Sequence, residues 1–515
     1  MSRSTVREVS RGSFYLGLEQ LTTIIGGIFY SIVVLRMLGP AAYGTLSLGQ
    51  AAIGLAGVLT TNVEAYLERF VGEIDARGDG HILRPLVRKV LAVKVVLALA
   101  AGVLVFLLAD TVATAYGHRD LRRLLPVLAP LILLEGAGYA LRVTLFGMQR
   151  FRSIWLVSLG NNLLKLAIVV LLWRLNEGVV ALVAGLVFVQ AFSVAALGVL
   201  VERFLPRERT GAPETPTHRK IWQYVLPLLG ARAFFLSGQH LNRLILGALL
   251  PARELGLASF ALMTIERFIA LLAAVPNSLL PALSRLRGEG RDGEIERTVT
   301  EGYRVVAAMA LLLMAGTYCL ARETVWITGG GEFLPAVVPL QILALTPLFR
   351  TMQQPLTMCF YTYERTKIVF WLAAIKFAVE PLAYPLLIPR LGVSGAALAS
   401  LLSSVVVFGP SVYLADRILP RTASLRHRAT AIVWSIGVFV AVAGWFAGRI
   451  RPYWPDLAAR LLLIAAALAA ILFLGRLIRG DDLRRFAEAS RRGRVTRLMG
   501  PVAGWLDRAQ KRPAA

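Results

Sequence analysis

Long apolar runs separated by short polar segments dominate the pattern of residues along the chain. Most of these runs extend over about 20 residues or more, and a helix of that length crosses the roughly 30 Å hydrocarbon core of a bilayer. The pattern therefore predicts an all-α polytopic membrane protein with about fourteen transmembrane helices. The expected spans are 14–37, 43–68, 86–109, 124–147, 154–174, 178–202, 222–250, 256–283, 302–322, 334–361, 368–389, 392–416, 430–450 and 457–478.

The composition supports a membrane protein. Of the 515 residues, 57% are hydrophobic and 17% are charged. Soluble globular domains are about 45–50% apolar and about 25% charged, so the composition argues against a water-soluble enzyme. The two cysteines, Cys319 and Cys359, lie in apolar surroundings, and the five histidines are scattered along the chain. No disulfide framework, metal site or cofactor is therefore expected.

The charge balance is strongly basic, with 56 Lys and Arg residues against 31 Asp and Glu residues and a formal net charge of +25. In a soluble protein this would suggest nucleic acid. Here the cations lie mostly between apolar runs, where they orient helices and contact anionic lipid headgroups, so no nucleic-acid partner is expected. With both termini in the cytoplasm most loop cations fall inside, in agreement with the positive-inside rule.

An internal repeat relates the two halves of the chain. Residues 37–47 resemble residues 249–259, and three further short matches follow in order at an offset of roughly 212 to 216 residues. Each copy contains six spans, an even number, so both copies have the same topology and form a parallel repeat. The expected divisions are an N-lobe over 1–212, a C-lobe over 213–418, two extra helices over 419–478 and a basic cytoplasmic tail over 479–515.

The repeated segments also carry a family resemblance. The turn Leu38-Gly39-Pro40…Tyr43-Gly44, its second copy before the eighth span and the segment Gly392–Ala397 resemble polysaccharide-biosynthesis flippases. These are the O-antigen and exopolysaccharide exporters of the multidrug/oligosaccharidyl-lipid/polysaccharide superfamily. The resemblance implies two lobes around a central cavity and a non-enzymatic transporter of the bacterial cytoplasmic (inner) membrane. It also implies that undecaprenyl-diphosphate-linked oligosaccharide is flipped from the cytoplasmic to the outer leaflet by alternating access.

Several alternative functions remain open. Within the superfamily these are a lipid II flippase and a cation-coupled multidrug extruder. The segment Gly12–Gly17 lacks a Ser-Arg-x-x-Gly pattern associated with lipid II flippases, which counts against that branch. A membrane glycosyltransferase or polymerase is disfavoured by the short loops and by the lack of an external D-x-D motif. A non-transporting scaffold is the remaining alternative, in which the intramembrane charges are merely paired.

Several cations lie inside expected spans, where a charged side chain costs about 2.5–3.5 kcal/mol and normally faces a cavity or a partner. Arg and Lys suit a diphosphate, since guanidinium groups bind phosphate through two parallel hydrogen bonds. For each cation the alternative is an intramembrane salt bridge or a side chain that reaches the interface. Arg267 beside Glu266 is interpreted as a structural pair. The candidate diphosphate-binding residues are Arg232, Lys376, Arg243, Lys165 and Arg142.

Intramembrane carboxylates form a second set of candidates, namely Glu19, Glu64 and Glu380. The repeat aligns Glu19 with Arg232 and Lys165 with Glu380, which favours ion pairs across the lobes that form in one access state and break in the other. Binding of H⁺ or Na⁺ is the alternative, because burial raises the pKa of a carboxyl group. The expected partners are the lipid-linked substrate and membrane lipids, with H⁺ or Na⁺ as candidate coupling ions and a polysaccharide polymerase and glycosyltransferases as candidate protein partners.

Overall fold

The protein is described by a computed structural model that covers most of the first 419 residues. Within this part the chain forms helices joined by short turns and contains no β-strand, so the predicted all-α polytopic fold is confirmed. The expected spans 430–450 and 457–478 and the basic tail lie outside the described residues. The described residues are 3–60, 64, 67–68, 71–72, 74, 82–205, 236–272 and 274–419.

Fifteen α-helices are named here in chain order within the described ranges. Two 3-10 segments, Val58–Thr60 and Gly331–Ala336, accompany them. The helices are α1 (Arg3–Gly57), α2 (Leu83–Ala115), α3 (Arg119–Leu128), α4 (Pro130–Gly147), α5 (Phe151–Arg174), α6 (Val179–Phe204), α7 (236–249), α8 (Ala252–Leu272), α9 (Ala274–Gly288), α10 (Asp292–Cys319), α11 (Ala321–Gly329), α12 (Val337–Leu343), α13 (Thr346–Thr362), α14 (Thr366–Leu391) and α15 (Val393–Ile418).

Nine helical segments of the described part are long and apolar enough to cross a membrane. One of them, Phe14–Thr60, contains the expected span 14–37 and most of the expected span 43–68. A further candidate is the pair Gly331–Leu343 and Thr346–Thr362, which is bent by 42° at a short break. The bend lies in the proline-interrupted run that was expected as one span over 334–361.

Large apolar side chains cover the outer faces of these helices. Leu107 on α2 and Leu386 on α14 are 69% and 71% exposed. In water such exposure would be unfavourable, but lipid tails are as apolar as leucine, so these faces suit contact with a bilayer. The backbone polar groups are satisfied inside each helix, as a membrane interior requires.

Helix α1 is kinked at Gly39, which has φ 66° and ψ 176°. A positive φ is favourable for glycine because it lacks a Cβ atom. Pro40 then occupies the first position of the second half of the helix, where its missing N–H would have no partner in any case. The predicted Leu38-Gly39-Pro40 turn therefore separates the first two expected spans without breaking the chain into a loop.

The two copies of the repeated turn segment contact each other reciprocally. A Cβ atom on Gly44 would lie 1.9 Å from the Ala252 carbonyl oxygen, and one on Gly256 would lie 1.8 Å from the Pro40 carbonyl oxygen. Ser47 donates a hydrogen bond of 2.9 Å to Ser259, its counterpart 212 residues later in the chain. Small residues thus allow two backbones to approach closely, as is common between membrane helices.

Replacing Gly44 with alanine should destabilise the protein by about 3 kcal/mol, because the new methyl group collides with backbone atoms that cannot rotate away. Gly27→Ala on the same helix is the matched control, since no atom lies within 4 Å of its Cβ position. It should be stabilising by about 0.5–1 kcal/mol. The measurement is the temperature at which half of the detergent-solubilised protein loses its monodisperse chromatographic peak. Equal melting of both variants would contradict the close packing.

Contacts divide the chain into two compact units. Unit 1 comprises Met1–Ser259 and Val325–Leu334, and unit 2 comprises Phe260–Thr324 and Pro335–Ala515. The expected boundary between lobes near residue 212 falls in 206–235, outside the described residues, and the predicted lobe limits stay a prediction.

Each unit has its own buried apolar core. In unit 1, residues such as Leu86, Leu141 and Leu197 join helices α2, α4 and α6. In unit 2, residues such as Met314 and Phe408 join α10 and α15. Helix α13 also contributes side chains to this core. These cores hold fixed the helices that carry the intramembrane charges.

Candidate functional site

Glu19 is buried in unit 1, where only 6% of its surface is exposed. Arg142 from α4 forms an ion pair with its carboxylate at 2.5 Å, and Ser158 from α5 donates a hydrogen bond of 3.0 Å. The Arg142 side chain itself is 46% exposed. A guanidinium carries five N–H donors, so Arg142 can hold Glu19 and still present donors to an anion on its exposed side.

Helices α1 and α5 contact each other along a line of four residue pairs, mostly polar or aromatic, which we name the polar ladder. On each helix the members are spaced three, four or seven residues apart, which places them on one face. Residue numbers rise in the same direction on both helices, so the two helices run parallel. The four rungs are Tyr15 with Trp155 (ring centroids 5.9 Å apart), Glu19 with Ser158, Gly26 with Asn162, and Tyr30 with Lys165.

Lys165 belongs to the last rung of the polar ladder, with Tyr30. Its ammonium lies 4.2 Å from the centroid of the Tyr30 ring, within the range of a cation–π interaction. Glu135 on α4 is the carboxylate that interacts electrostatically with Lys165. Lys165 is therefore half-buried beside an aromatic ring and an acid, and both groups stabilise its charge inside the membrane.

Two buried polar atoms next to the ladder have no hydrogen-bond partner among the described residues. They are the indole Nε1 of Trp155 and the side-chain oxygen Oδ1 of Asn161. An unsatisfied polar atom in a low-dielectric interior is costly. These atoms therefore favour a ligand that brings both a hydrogen-bond donor and an acceptor to α5.

Glu64 forms a second ion pair in unit 1, with Lys94 of α2 at 2.5 Å. The side chains of Glu64 and Lys94 are 4% and 3% exposed, so the pair is buried. Tyr139 packs beside it, with its ring centroid 5.8 Å from the Lys94 ammonium and its hydroxyl donating to Glu68. Glu64 is among the sequence candidates but Lys94 is not, although Lys94 lies deeper in the apolar run 86–109 than Arg88 and Lys89 at its start.

Unit 2 contains a cluster of charges from three helices. Arg350 on α13 donates to both carboxylate oxygens of Glu266 on α8, and the Nη2–Oε2 distance is 3.2 Å. Lys376 on α14 interacts electrostatically with Arg350, Glu266 and Glu380. Glu380 lies one turn further along α14, is 5% exposed and accepts a 2.9 Å hydrogen bond from the Tyr384 hydroxyl. Arg350 was not among the sequence candidates.

Arg243 lies on α7 in unit 1. It interacts electrostatically with His240, and it forms no ion pair with another described residue. The His240 ring packs against Gly54, where a Cβ atom would lie 2.2 Å from the ring. Arg232 falls in 206–235, outside the described part of the chain.

Arg142, Lys165 and Lys376 thus have acidic partners within their own units, whereas Arg243 forms no ion pair with another described residue. Glu19 meets Arg142, and Lys376 lies near Glu380 and Glu266. In the described part, these cations therefore lie beside carboxylates and keep further N–H donors. The ion pairs predicted across the lobes, from the alignment of Glu19 with Arg232 and of Lys165 with Glu380, stay a prediction.

Two comparisons with known proteins match part of the chain. The family described as "Polysaccharide biosynthesis protein" matches residues 33–338. The curated protein named "Probable flippase AglR" from Haloferax volcanii is 25% identical over 202 residues, which cover 38% of this chain and 41% of AglR. The match thus spans about two fifths of that relative's length.

Two solved structures are similar over most of their length. The inward closed lipid II flippase MurJ aligns with a TM-score of 0.66 at 12% identity, covering 89% of this chain and 98% of MurJ. An inward-facing multidrug resistance MATE family transporter aligns with a TM-score of 0.63 at 12% identity, covering 81% and 99%. At this identity the likeness shows a shared fold.

Proposed function

The chain belongs to the polysaccharide biosynthesis protein family, and from this membership we propose that it flips undecaprenyl-diphosphate-linked oligosaccharide. In this proposal the headgroup passes from the cytoplasmic to the outer leaflet of the bacterial inner membrane by alternating access. Glycosyltransferases supply the substrate on one side, and a polysaccharide polymerase takes it up on the other. The two flippases similar to this chain, AglR by sequence and MurJ by fold, support transport of a lipid-linked headgroup.

The polar ladder is the observation that carries this proposal. Along α1 it extends from Tyr15 to Tyr30, about 22 Å at the rise of an α-helix, which is most of the hydrocarbon thickness. It combines aromatic rings with the carboxylate of Glu19, the side-chain amide of Asn162 and the ammonium of Lys165, and Arg142 adds a second cation through its ion pair with Glu19. The cations suit a diphosphate, and the amides, hydroxyls and rings suit sugar hydroxyls and sugar faces.

The acidic partners have a role in the same proposal. A cation left alone inside a membrane would be strongly destabilising. Glu19 and Glu380 compensate the charges of Arg142 and Lys376 while the protein is empty, and the diphosphate takes over part of that compensation when it binds. The cations therefore pair with the carboxylates of their own unit when no substrate is bound and with the diphosphate when it is bound. In this proposal transport requires no coupling ion.

Reconstituted protein provides the test. Because a diphosphate carries about two negative charges, an inside-negative potential of 100 mV should favour its outward movement by about 4.6 kcal/mol. Proteoliposomes with labelled undecaprenyl-diphosphate oligosaccharide in the inner leaflet should therefore expose the label faster under an inside-negative potassium diffusion potential than at zero potential. The pH and the sodium concentration are kept equal on both sides. Flux that ignores the potential would contradict the uncoupled mechanism.

The same vesicles separate the alternatives. Lipid II and a cationic dye are offered in parallel with the oligosaccharide substrate. Movement of lipid II alone would indicate a lipid II flippase, and movement of the dye alone would indicate a multidrug extruder. Either result, or no movement of any substrate, would overturn the proposed substrate.

A further inference from the structure

A cavity of about 360 Å³ lies in unit 1, away from the polar ladder. The end of the first half of α1 provides one wall, through Leu35 and Arg36. The turn between α11 and the following 3-10 segment provides the other, through Trp326, Gly329–Gly331 and Glu332. From Glu19 to Arg36 the distance along α1 is about 25 Å, so the cavity lies near the opposite end of the first span.

Two glycine-containing turns fix the shape of this cavity. Gly39 takes a left-handed conformation, and a Cβ atom there would lie 2.6 Å from the Glu332 carboxylate. Gly330 has φ 76°, and a Cβ atom on Gly329 would lie 2.6 Å from the Phe333 ring. Phe333 in turn packs edge-on against Tyr43, with ring centroids 6.3 Å apart. The walls therefore meet through close contacts that bulkier residues would prevent.

The charged side chains of the cavity, Arg36 and Glu332, keep hydrogen-bonding capacity for a ligand. Arg36 donates a 2.8 Å hydrogen bond to the Ile327 carbonyl oxygen, which orients the guanidinium and leaves other N–H donors available. Neither Arg36 nor Glu332 forms an ion pair with any residue in the described ranges, although both line the same cavity. Trp326 is 60% exposed and adds a flat aromatic surface.

We propose that this cavity binds one sugar ring. An anionic ligand would be opposed by Glu332, and a cationic ligand by Arg36. A neutral polyhydroxylated ring instead uses both residues, since hydroxyl groups donate to a carboxylate and accept from a guanidinium. The apolar face of the ring stacks on Trp326, in keeping with pockets that combine an aromatic wall with a few convergent polar groups.

The source of the sugar rests on the proposed function. In that setting the cavity receives a sugar of the headgroup near one end of the first span, while the diphosphate is bound by the intramembrane cations. Binding of a free sugar does not depend on transport, so the two proposals can fail separately.

The test uses the purified full-length chain in nanodiscs and saturation-transfer NMR with free glucose, galactose, mannose and N-acetylglucosamine. At least one of these sugars should show transfer from the protein. Trp326→Ala should weaken binding of that sugar at least tenfold, and Arg36→Gln and Glu332→Gln should each weaken it severalfold. All three side chains are exposed, so the variants are expected to fold.

Trp371→Ala is the matched control, because Trp371 is 65% exposed and lies on α14, outside the cavity. It should leave sugar binding unchanged. The proposal is overturned if none of the sugars binds, if Trp371→Ala weakens binding as much as Trp326→Ala, or if inorganic diphosphate displaces the sugar through the same three residues. If the protein binds the sugar but shows no flippase activity, the proposed function is wrong and the proposed sugar site stands.

Discussion

Replacing Lys94 with methionine should lower the free energy of unfolding by about 3–5 kcal/mol, the loss typical when one member of a buried ion pair is removed. The reason is the burial of its partner: Glu64 is 3% exposed and would lose the ammonium group that compensates its charge. The measurement is thermal loss of the monodisperse peak in detergent, calibrated by chemical unfolding.

The double variant Glu64→Leu with Lys94→Met provides the control, because replacing both members of a buried pair by apolar residues is often neutral or stabilising. It should recover most of the lost stability and retain transport. Equal stability of the single and double variants would show that the pair contributes nothing. Loss of transport in a well-folded double variant would instead assign an ion-coupling role to Glu64.

Replacing Lys376 with glutamine should reduce flipping of the lipid-linked substrate by about 10- to 100-fold. Hydrogen bonds to charged groups contribute about 1.5–3 kcal/mol, and each 1.4 kcal/mol corresponds to a factor of ten. Lys376 lies beside Arg350, so its loss removes one of two neighbouring cations available to a diphosphate. The measurement is the initial rate in the proteoliposome assay.

Lys367→Gln is the matched control, since it removes the same charge from the exposed first turn of the same helix. It should transport at the rate of the unchanged protein. Lys376→Arg keeps the charge and should recover part of the activity. If Lys376→Gln, once shown to be monodisperse, transports normally, the cluster in unit 2 does not bind the headgroup.

The sequence predicts helices well here because the apolar runs are long and the charges between them are few. It also identifies Glu19, Glu64 and Lys376, since a charge inside an apolar run is conspicuous. It does not indicate which charged residues pair with one another. Arg142 and Arg350 lie far in sequence from the carboxylates they bind, and only the packing of separate helices brings each pair together.

The polar ladder shows the same limit. The spacing of Tyr15, Glu19 and Tyr30 on α1 is visible in the sequence, but nothing local indicates that α5 is the helix that faces them. The cavity near Arg36 is a clearer case. Both of its glycine turns are evident as breaks between spans. Their contact nevertheless joins distant segments, since the hydrogen bond from Arg36 to Ile327 connects residues 291 positions apart.

The contact between the two copies of the turn segment has the logic of an isologous dimer interface, in which residue i touches j and the copy of j touches the copy of i. Gly44 approaches Ala252 as Gly256 approaches Pro40. Both copies carry glycine where a side chain would collide, and the backbone carbonyl groups that the two glycines approach belong to Ala252 and Pro40. A half-length ancestral chain with one such segment would have been self-complementary, and fusion of two of them would enclose their two-fold interface within a single polypeptide.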